Sequence, residues 1–471
     1  MKKTLFILSL CLAQLSAISQ TSRTFTVSVS ADGSANMQVF IPENSSGRAV
    51  VDCPGGGYSH LSMQSEGTDW ADYFNRQGIV YAVLAYRMPG GDRSMPISDA
   101  QNAIMMMRDS AATWGVNPYD VGIMGFSAGG HLASTIATHA PMGARPNFQI
   151  LFYPVISMDE KATHKGSVAA FLGDSRGDEQ LVREYSNDRQ TRRHATPPAI
   201  IILAGDDSAV PPLTNAIAYY SAMRKAGVPA AMYVYPSGGH GFGFKPSFKY
   251  HDAMLNELTL WLNSLEAPRA DAKRVACIGN SITDGHGLDM ADVNAYPAQL
   301  QSMLGDGFYV RNFGVSGRTM LNGGDRPYVN EKAWAEAQAF NPDIAVIKLG
   351  TNDSKPVNWD GRGSEVFAAD FQQMIDSLKA LPSQPEIFVC TPLRVDMSKS
   401  QEGATQIRDS VITAAVIPAV KMIAEKNNLR VIDLNPLIDP TSDMMQRDGI
   451  HPSAKGARVM AEAVAREIAE R

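Results

Sequence analysis

Four cysteines in 471 residues are too few, and too badly placed, for a disulfide framework. Cys11 lies in an N-terminal apolar stretch. That leaves Cys53, Cys277 and Cys390, an odd set within apolar, strand-like runs, where buried free thiols are expected instead of loop-borne pairs. No CxxC pair and no HExxH helix occurs, so neither a structural nor a catalytic metal is expected. A basic block is missing as well. The 42 Lys and Arg are interspersed among 48 Asp and Glu, for a formal charge of −6, which argues against nucleic acid or anionic lipid as a partner. Past the N-terminus no apolar run is long enough to span a bilayer, and no internal repeat is detectable. Nothing in the pattern sets an oligomeric state.

What is present is enough chain for two or three domains at roughly 150 residues each. The chain begins Met1-Lys2-Lys3, followed by an apolar run from Leu5 to Ala17. This run is too short for a membrane span but matches a secretion signal, so residues 1–19 are expected to be a signal peptide cleaved near Ala17-Ile18-Ser19-Gln20 and the protein to be exported. The large Leu10 before Cys11 argues against a lipoprotein.

From Phe25 to Leu265 short apolar strands alternate with helical stretches, as in a mainly parallel sheet covered by helices on both faces. The expected strands are 37–41, 49–53, 80–85, 121–125, 149–153, 199–203 and 231–235, with helices at 97–114 and 214–226. Residues 266–273 are small, polar and interrupted by Pro268, and are expected to link two domains, 25–265 and 274–471. The second segment has five expected strands, at 274–278, 309–313, 344–349, 386–390 and 430–434. Each is followed by a helical pattern, implying a compact five-stranded parallel α/β sandwich of the flavodoxin-like kind.

In the first segment, Gly125-Phe126-Ser127-Ala128-Gly129-Gly130 sits between a strand and an apolar helix. A serine at such a sharp turn is a nucleophile elbow, flanked by glycines where Cβ atoms have no room and followed by a helix start that can face an oxyanion. Upstream, Cys53-Pro54-Gly55-Gly56-Gly57-Tyr58 follows a strand. Downstream come Asp206-Asp207-Ser208-Ala209-Val210-Pro211 and then Gly238-Gly239-His240-Gly241-Phe242. These blocks, in the order serine, acid, histidine, resemble the α/β-hydrolase superfamily in its acetylxylan-esterase and feruloyl-esterase-like branch. The resemblance implies Ser127 as nucleophile, His240 as base and Asp207 as the acid orienting it, with Asp206 as the alternative acid. It also implies an oxyanion hole formed by the N–H of Ala128 and that of Gly56 or Gly57. His60, His131 and His139 belong to no motif and are expected to be solvated or helix-packed.

The second segment carries Gly279-Asn280-Ser281-Ile282-Thr283-Asp284-Gly285, Asn312-Phe313-Gly314-Val315-Ser316-Gly317, Gly350-Thr351-Asn352-Asp353 and Asp448-Gly449-Ile450-His451-Pro452, all beyond strand ends or before the final helix. In this order the four blocks resemble the SGNH or GDSL hydrolases, with Gly-Asn-Ser where many members have Gly-Asp-Ser. The resemblance implies Ser281 as nucleophile, His451 as base and Asp448 as its acid. The oxyanion donors would be the N–H groups of Ser281 and Gly314 and the side-chain amide of Asn352. His286 and Arg318 lie near this site in sequence without an assignable role.

Both resemblances imply serine ester hydrolysis through acyl-enzymes, without a cofactor, at two sites that work independently. The expected function is removal of O-acetyl, or feruloyl, groups from plant polysaccharides such as xylan. The second domain also resembles sialate O-acetylesterases, which keeps host glycans open as the alternative substrate. A further alternative is that one domain is a non-catalytic glycan-binding module. The presence of all six triad residues argues against that.

Overall fold

The computed structural model describes residues 22–399 and 406–469. The signal-peptide expectation, with Cys11, lies outside them. Two separate sheets organise the chain. The first has eight strands: β1 (Arg23–Ser28), β2 (Asn36–Ile41), β3 (Gly47–Cys53), β4 (Val80–Ala85), β5 (Val116–Phe126), β6 (Gln149–Phe152), β7 (Ala199–Ala204) and β8 (Ala230–Tyr235), in the order β1-β2-β4-β3-β5-β6-β7-β8. β2 runs antiparallel to both β1 and β4, and every other pairing is parallel. This is an α/β-hydrolase sheet.

The sequence of each strand matches its place. β7 reads AIIILA and is buried throughout, as a central strand covered on both faces must be, with each buried isoleucine worth about 2 kcal/mol of transfer free energy. At the edge, β1 (RTFTVS) alternates half-buried and exposed residues. That weak pattern is why the strand escaped the sequence reading. The helix expected over 97–114 is instead two helices, Ser94–Asp109 and Ala111–Trp114, the second ended by Gly115 at φ 67°. Gly227, at φ 73°, closes the helix Ala216–Lys225 and is followed by Val228-Pro229, a glycine stop with proline just beyond it.

The second sheet comprises β9 (Lys273–Gly279), β10 (Phe308–Gly314), β11 (Ile344–Lys348), β12 (Glu386–Cys390) and β13 (Arg430–Ile432), all parallel in the order β10-β9-β11-β12-β13. That is the doubly wound 2-1-3-4-5 order, whose switch point lies beside the first strand of the sheet. Its two faces carry separate apolar clusters, one around Phe367, Phe371 and Val420 and the other around Leu300, Met460 and Val464. Cys53, Cys277 and Cys390 are buried and unbridged, as expected. Among the described residues no helix is long and apolar enough to cross a membrane.

The halves touch through polar contacts. Arg145 and Arg192 both reach Glu336 Oε1, at 2.8 and 3.0 Å, and the two guanidiniums hold that carboxyl below its ordinary range even though burial opposes ionisation. Asn117 Nδ2 donates to the Pro268 carbonyl at 2.7 Å, and the Arg269 N–H donates to the Asp306 carbonyl at 2.8 Å, so residues 265–272 are pinned at both sides.

Candidate active sites

The first site forms where β3, β5, β7 and β8 end. β5 delivers Ser127 at φ 51°, a left-handed conformation that a non-glycine residue adopts only when its surroundings enforce it. The enforcement is steric: a Cβ on Gly125 would fall 2.3 Å from the Gly129 carbonyl oxygen, and one on Gly129 would fall 1.9 Å from that of Cys53. The serine therefore stands at the start of the helix Ser127–His139.

Ser127 Oγ lies 2.8 Å from His240 Nε2, and His240 Nδ1 lies 2.7 Å from Asp207 Oδ2. The other carboxylate oxygen of Asp207 accepts the N–H groups of Ala209 and Val210, both at 2.9 Å. In this chain of contacts the imidazole can accept the serine proton while Nδ1–H donates to the acid. Asp206 sits elsewhere, accepting the Gly239 N–H at 2.8 Å and the Gly238 N–H at 3.3 Å, so it braces the turn that leads into His240. Gly56, Gly57, Ser127 and His240 line a common cavity of about 380 Å³. Among the described residues the N–H groups of Gly56 and Gly57 have no hydrogen-bond acceptor, which leaves them available to an oxyanion.

Two supports of this site were not visible in the sequence. Glu66 Oε2 accepts the Gly55 N–H at 3.1 Å, and Oε1 accepts the Tyr153 hydroxyl at 2.7 Å. The Tyr153 hydroxyl in turn accepts the Gly243 N–H at 2.9 Å, and the ring packs edge-on against His240 with centroids 4.8 Å apart. One carboxylate, raised in pKa by its burial, thus ties the glycine loop to the histidine loop. His131 is the second support. It is fully buried, with Nε2 donating to the Tyr185 carbonyl and Nδ1 accepting the Tyr58 hydroxyl, both at 2.8 Å, and so it anchors the tyrosine that follows Gly55–Gly57. By contrast, His60 is exposed at the cavity rim, and His139 stacks on Tyr185.

Burial pushes the His131 pKa from 6.5 down to about 4. Between those values the unfolded chain binds a proton that the folded chain does not. The stability contributed by the neutral ring is therefore complete above pH 6.5 and is lost as the pH falls to 4, by about 3 kcal/mol. We expect urea unfolding of the wild type and of His131→Gln to converge by about that amount between pH 7 and pH 4, whereas a pH-independent gap would contradict this role for the ring.

The second site forms beyond β9, β10 and β11. Ser281 opens the short helical turn Ser281–Asp284, where Asn280 Oδ1 accepts the Ile282 N–H at 3.2 Å. Its Oγ lies 2.8 Å from His451 Nε2, and His451 Nδ1 lies 2.5 Å from Asp448 Oδ2. Asp448 Oδ1 accepts the N–H groups of Ile450 and His451, both at 3.0 Å. Partial burial opposes ionisation of Asp448, but these donors outweigh it and hold the carboxyl well below its ordinary range. The His286 ring packs against His451 with centroids 4.8 Å apart.

The expected oxyanion donors of this site differ in their hydrogen bonding. Asn352 donates one amide hydrogen to the Arg318 carbonyl, at 3.0 Å, and the other has no acceptor among the described residues. The Gly314 N–H donates to Asn312 Oδ1 at 2.8 Å, so it serves an oxyanion only by sharing or releasing that bond. Asn352 is held from below. Buried Asp353, pushed up to about 6 by desolvation, accepts the N–H groups of Met320 and Leu321, and buried Lys348, pulled down to about 7, donates to Thr351 Oγ1 at 3.0 Å.

Comparison with known proteins agrees with both folds. Residues 50–244 match the alpha/beta hydrolase fold family, and residues 277–459 match the GDSL-like Lipase/Acylhydrolase family. An acetylxylan esterase of Xylanibacter ruminicola is 51% identical over 99% of this chain and 100% of its own length. Endo-1,4-beta-xylanase B of Butyrivibrio fibrisolvens is 34% identical over 40% of this chain and 31% of its own. The crystal structure of an acetyl ester-xyloside bifunctional hydrolase from Caldicellulosiruptor lactoaceticus aligns with 53% of this chain and 98% of that one, at 28% identity and a TM-score of 0.47. The chain belongs to the family of its full-length Xylanibacter relative and is a carboxylic ester hydrolase that joins an α/β-hydrolase fold to a GDSL-like acylhydrolase fold.

Proposed function

We propose that the protein removes O-acetyl groups from xylan-like plant polysaccharides at two serine sites, one in residues 25–265 and one in residues 274–471. The observation that carries this reading is the pair of complete serine, histidine and carboxylate chains, each at hydrogen-bond distance. The polysaccharide is inferred from the acetylxylan esterase that matches the whole chain.

In the first site, His240 Nε2 takes the Ser127 proton as Oγ bonds to the acetyl carbon, and Asp207 steadies the imidazolium. The negative charge on the carbonyl oxygen meets the N–H groups of Ala128 and of Gly56 or Gly57, beside the positive end of the Ser127–His139 helix. When the tetrahedral adduct collapses, the bond to the sugar oxygen breaks and the histidine proton passes to that oxygen. Water then attacks the acetyl-serine with His240 again accepting its proton, and acetate leaves as Ser127 recovers its own. Ser281, His451 and Asp448 run the same sequence in the second site, with Asn352, Gly314 and the Ser281 N–H facing the oxyanion. The Lys2-Lys3 start and its apolar run support export, where such polymers are met.

Release of the free acid, acetate or ferulate, from acetylated xylan, acetylated mannan, feruloylated oligosaccharide and O-acetyl sialic acid tests the substrate class. Release from acetylated xylan, insensitive to EDTA and abolished by an organophosphate, is the expected result. Release from O-acetyl sialic acid alone would overturn the plant-polymer reading.

A further inference from the structure

The helical turn that carries Ser281 is held from the other half of the chain. His194, in the segment leading into β7, reaches across with Nε2 3.0 Å from Asp284 Oδ1 and 3.2 Å from the Asp284 carbonyl oxygen. Both partners are acceptors, so Nε2 carries the proton and donates. His194 is itself fixed at φ 62°, and its carbonyl accepts Arg311 Nη2 at 3.0 Å, while Arg311 Nη1 donates to the Tyr309 hydroxyl at 2.8 Å. A non-glycine residue in the left-handed region costs backbone strain, which here is offset by contacts on both sides of the residue.

Asp284 is the hub those contacts act upon. It is the last residue of the turn that begins at Ser281, and its N–H donates to the Asn280 carbonyl at 2.9 Å. Its Oδ2 accepts the Ser316 hydroxyl, two residues beyond Gly314, and Arg193 Nη1 stands 3.6 Å from Oδ1. β10 ends hard against the same turn: a Cβ on Gly314 would fall 2.2 Å from the Asp284 nitrogen, and Asn312 Nδ2 donates to the Thr283 carbonyl at 2.7 Å. Asp284 therefore fixes the nucleophile's turn relative to the Gly314 loop. His194 has no described contact with Ser281, His451 or Asp448.

We infer that His194 is a positioning residue for the Ser281 site, acting through Asp284, so that the first half of the chain sets part of the second half's catalytic geometry. The inference rests on the reading of Ser281 as a nucleophile and departs from the sequence expectation of two self-contained sites. Small misplacements of a reacting group cost heavily, because the near-attack arrangement is narrow.

The test uses the full chain carrying Ser127→Ala, so that hydrolysis of p-nitrophenyl acetate reports Ser281, with Ser281→Ala added to set the background. His194→Ala removes the donor, His194→Met removes it while keeping bulk in the interface, and His194→Gln presents an amide N–H at similar reach. The expected result is a fall in kcat of about tenfold to a hundredfold for Ala and Met, with KM within about twofold and most of the loss recovered by Gln. A Met variant with wild-type kcat, or a Gln variant as slow as Met, would overturn the inference and leave the site assignment standing. Absence of any Ser281-dependent turnover before His194 is changed would overturn both.

Discussion

Replacing Ser127 with alanine should lower turnover at the first site by about 10⁴- to 10⁶-fold and leave Ser281-dependent turnover in place, and Ser281→Ala should do the reverse. The size follows from what is removed. Without Oγ no acyl-enzyme forms, and the imidazole and oxyanion donors can act only on a water that nothing holds for attack. The complementarity follows from geometry: among the described residues each serine reaches only its own histidine, and neither hydroxyl takes part in the contacts between the halves. Kinetics of both single variants and the double variant across an ester panel check this. The double variant should be inert on every ester. If either single variant abolished all hydrolysis with the other half folded, the surviving half would be better described as a glycan-binding module.

The second large effect separates two adjacent carboxylates. Asp207→Asn, measured in the Ser281→Ala background, should cost about 10⁴-fold in kcat, because an amide that presents its NH₂ to Nδ1 forces the proton onto Nε2, where it blocks acceptance from Ser127. Asp206→Asn should cost less than about tenfold, since its carbonyl can still accept the Gly239 N–H bond that the carboxylate now takes at 2.8 Å. Equal losses in the two variants, or a larger loss for Asp206→Asn, would contradict the 2.7 Å contact between Asp207 and His240 as the working one.

The contrast between these residues and Glu66, His131 or His194 shows where sequence reading reaches its limit. The turns bearing Ser127 and Ser281 were legible because a strand-to-helix turn confines the serine and its neighbouring glycines to a few consecutive residues. The contact between Asp448 and His451 was legible because the two residues share one turn. Glu66 is different: it joins Gly55 to Tyr153, and the latter stands 87 positions away in the chain. His131 meets Tyr58 across 73 positions, and His194 meets Asp284 across 90. A lone histidine or glutamate in one sequence carries no sign of such a partner, because long-range packing of the loops decides it. The expectation that His131 is solvated or helix-packed therefore left its burial open and missed its work. The same limit applied to the fold. Strands with buried apolar runs, such as β7, announced themselves, while the half-exposed edge strand β1 did not.

The central claim is that one chain holds two working serine nucleophiles. Treatment of the full-length protein with an excess of a fluorophosphonate, followed by intact mass and peptide mapping, tests it directly, because the reagent bonds covalently only to a serine activated by its histidine. The account predicts two adducts per chain, one on the peptide bearing Ser127 and one on the peptide bearing Ser281, each lost on replacing its own serine. A single adduct that vanishes with either replacement, or none at either serine, would contradict it.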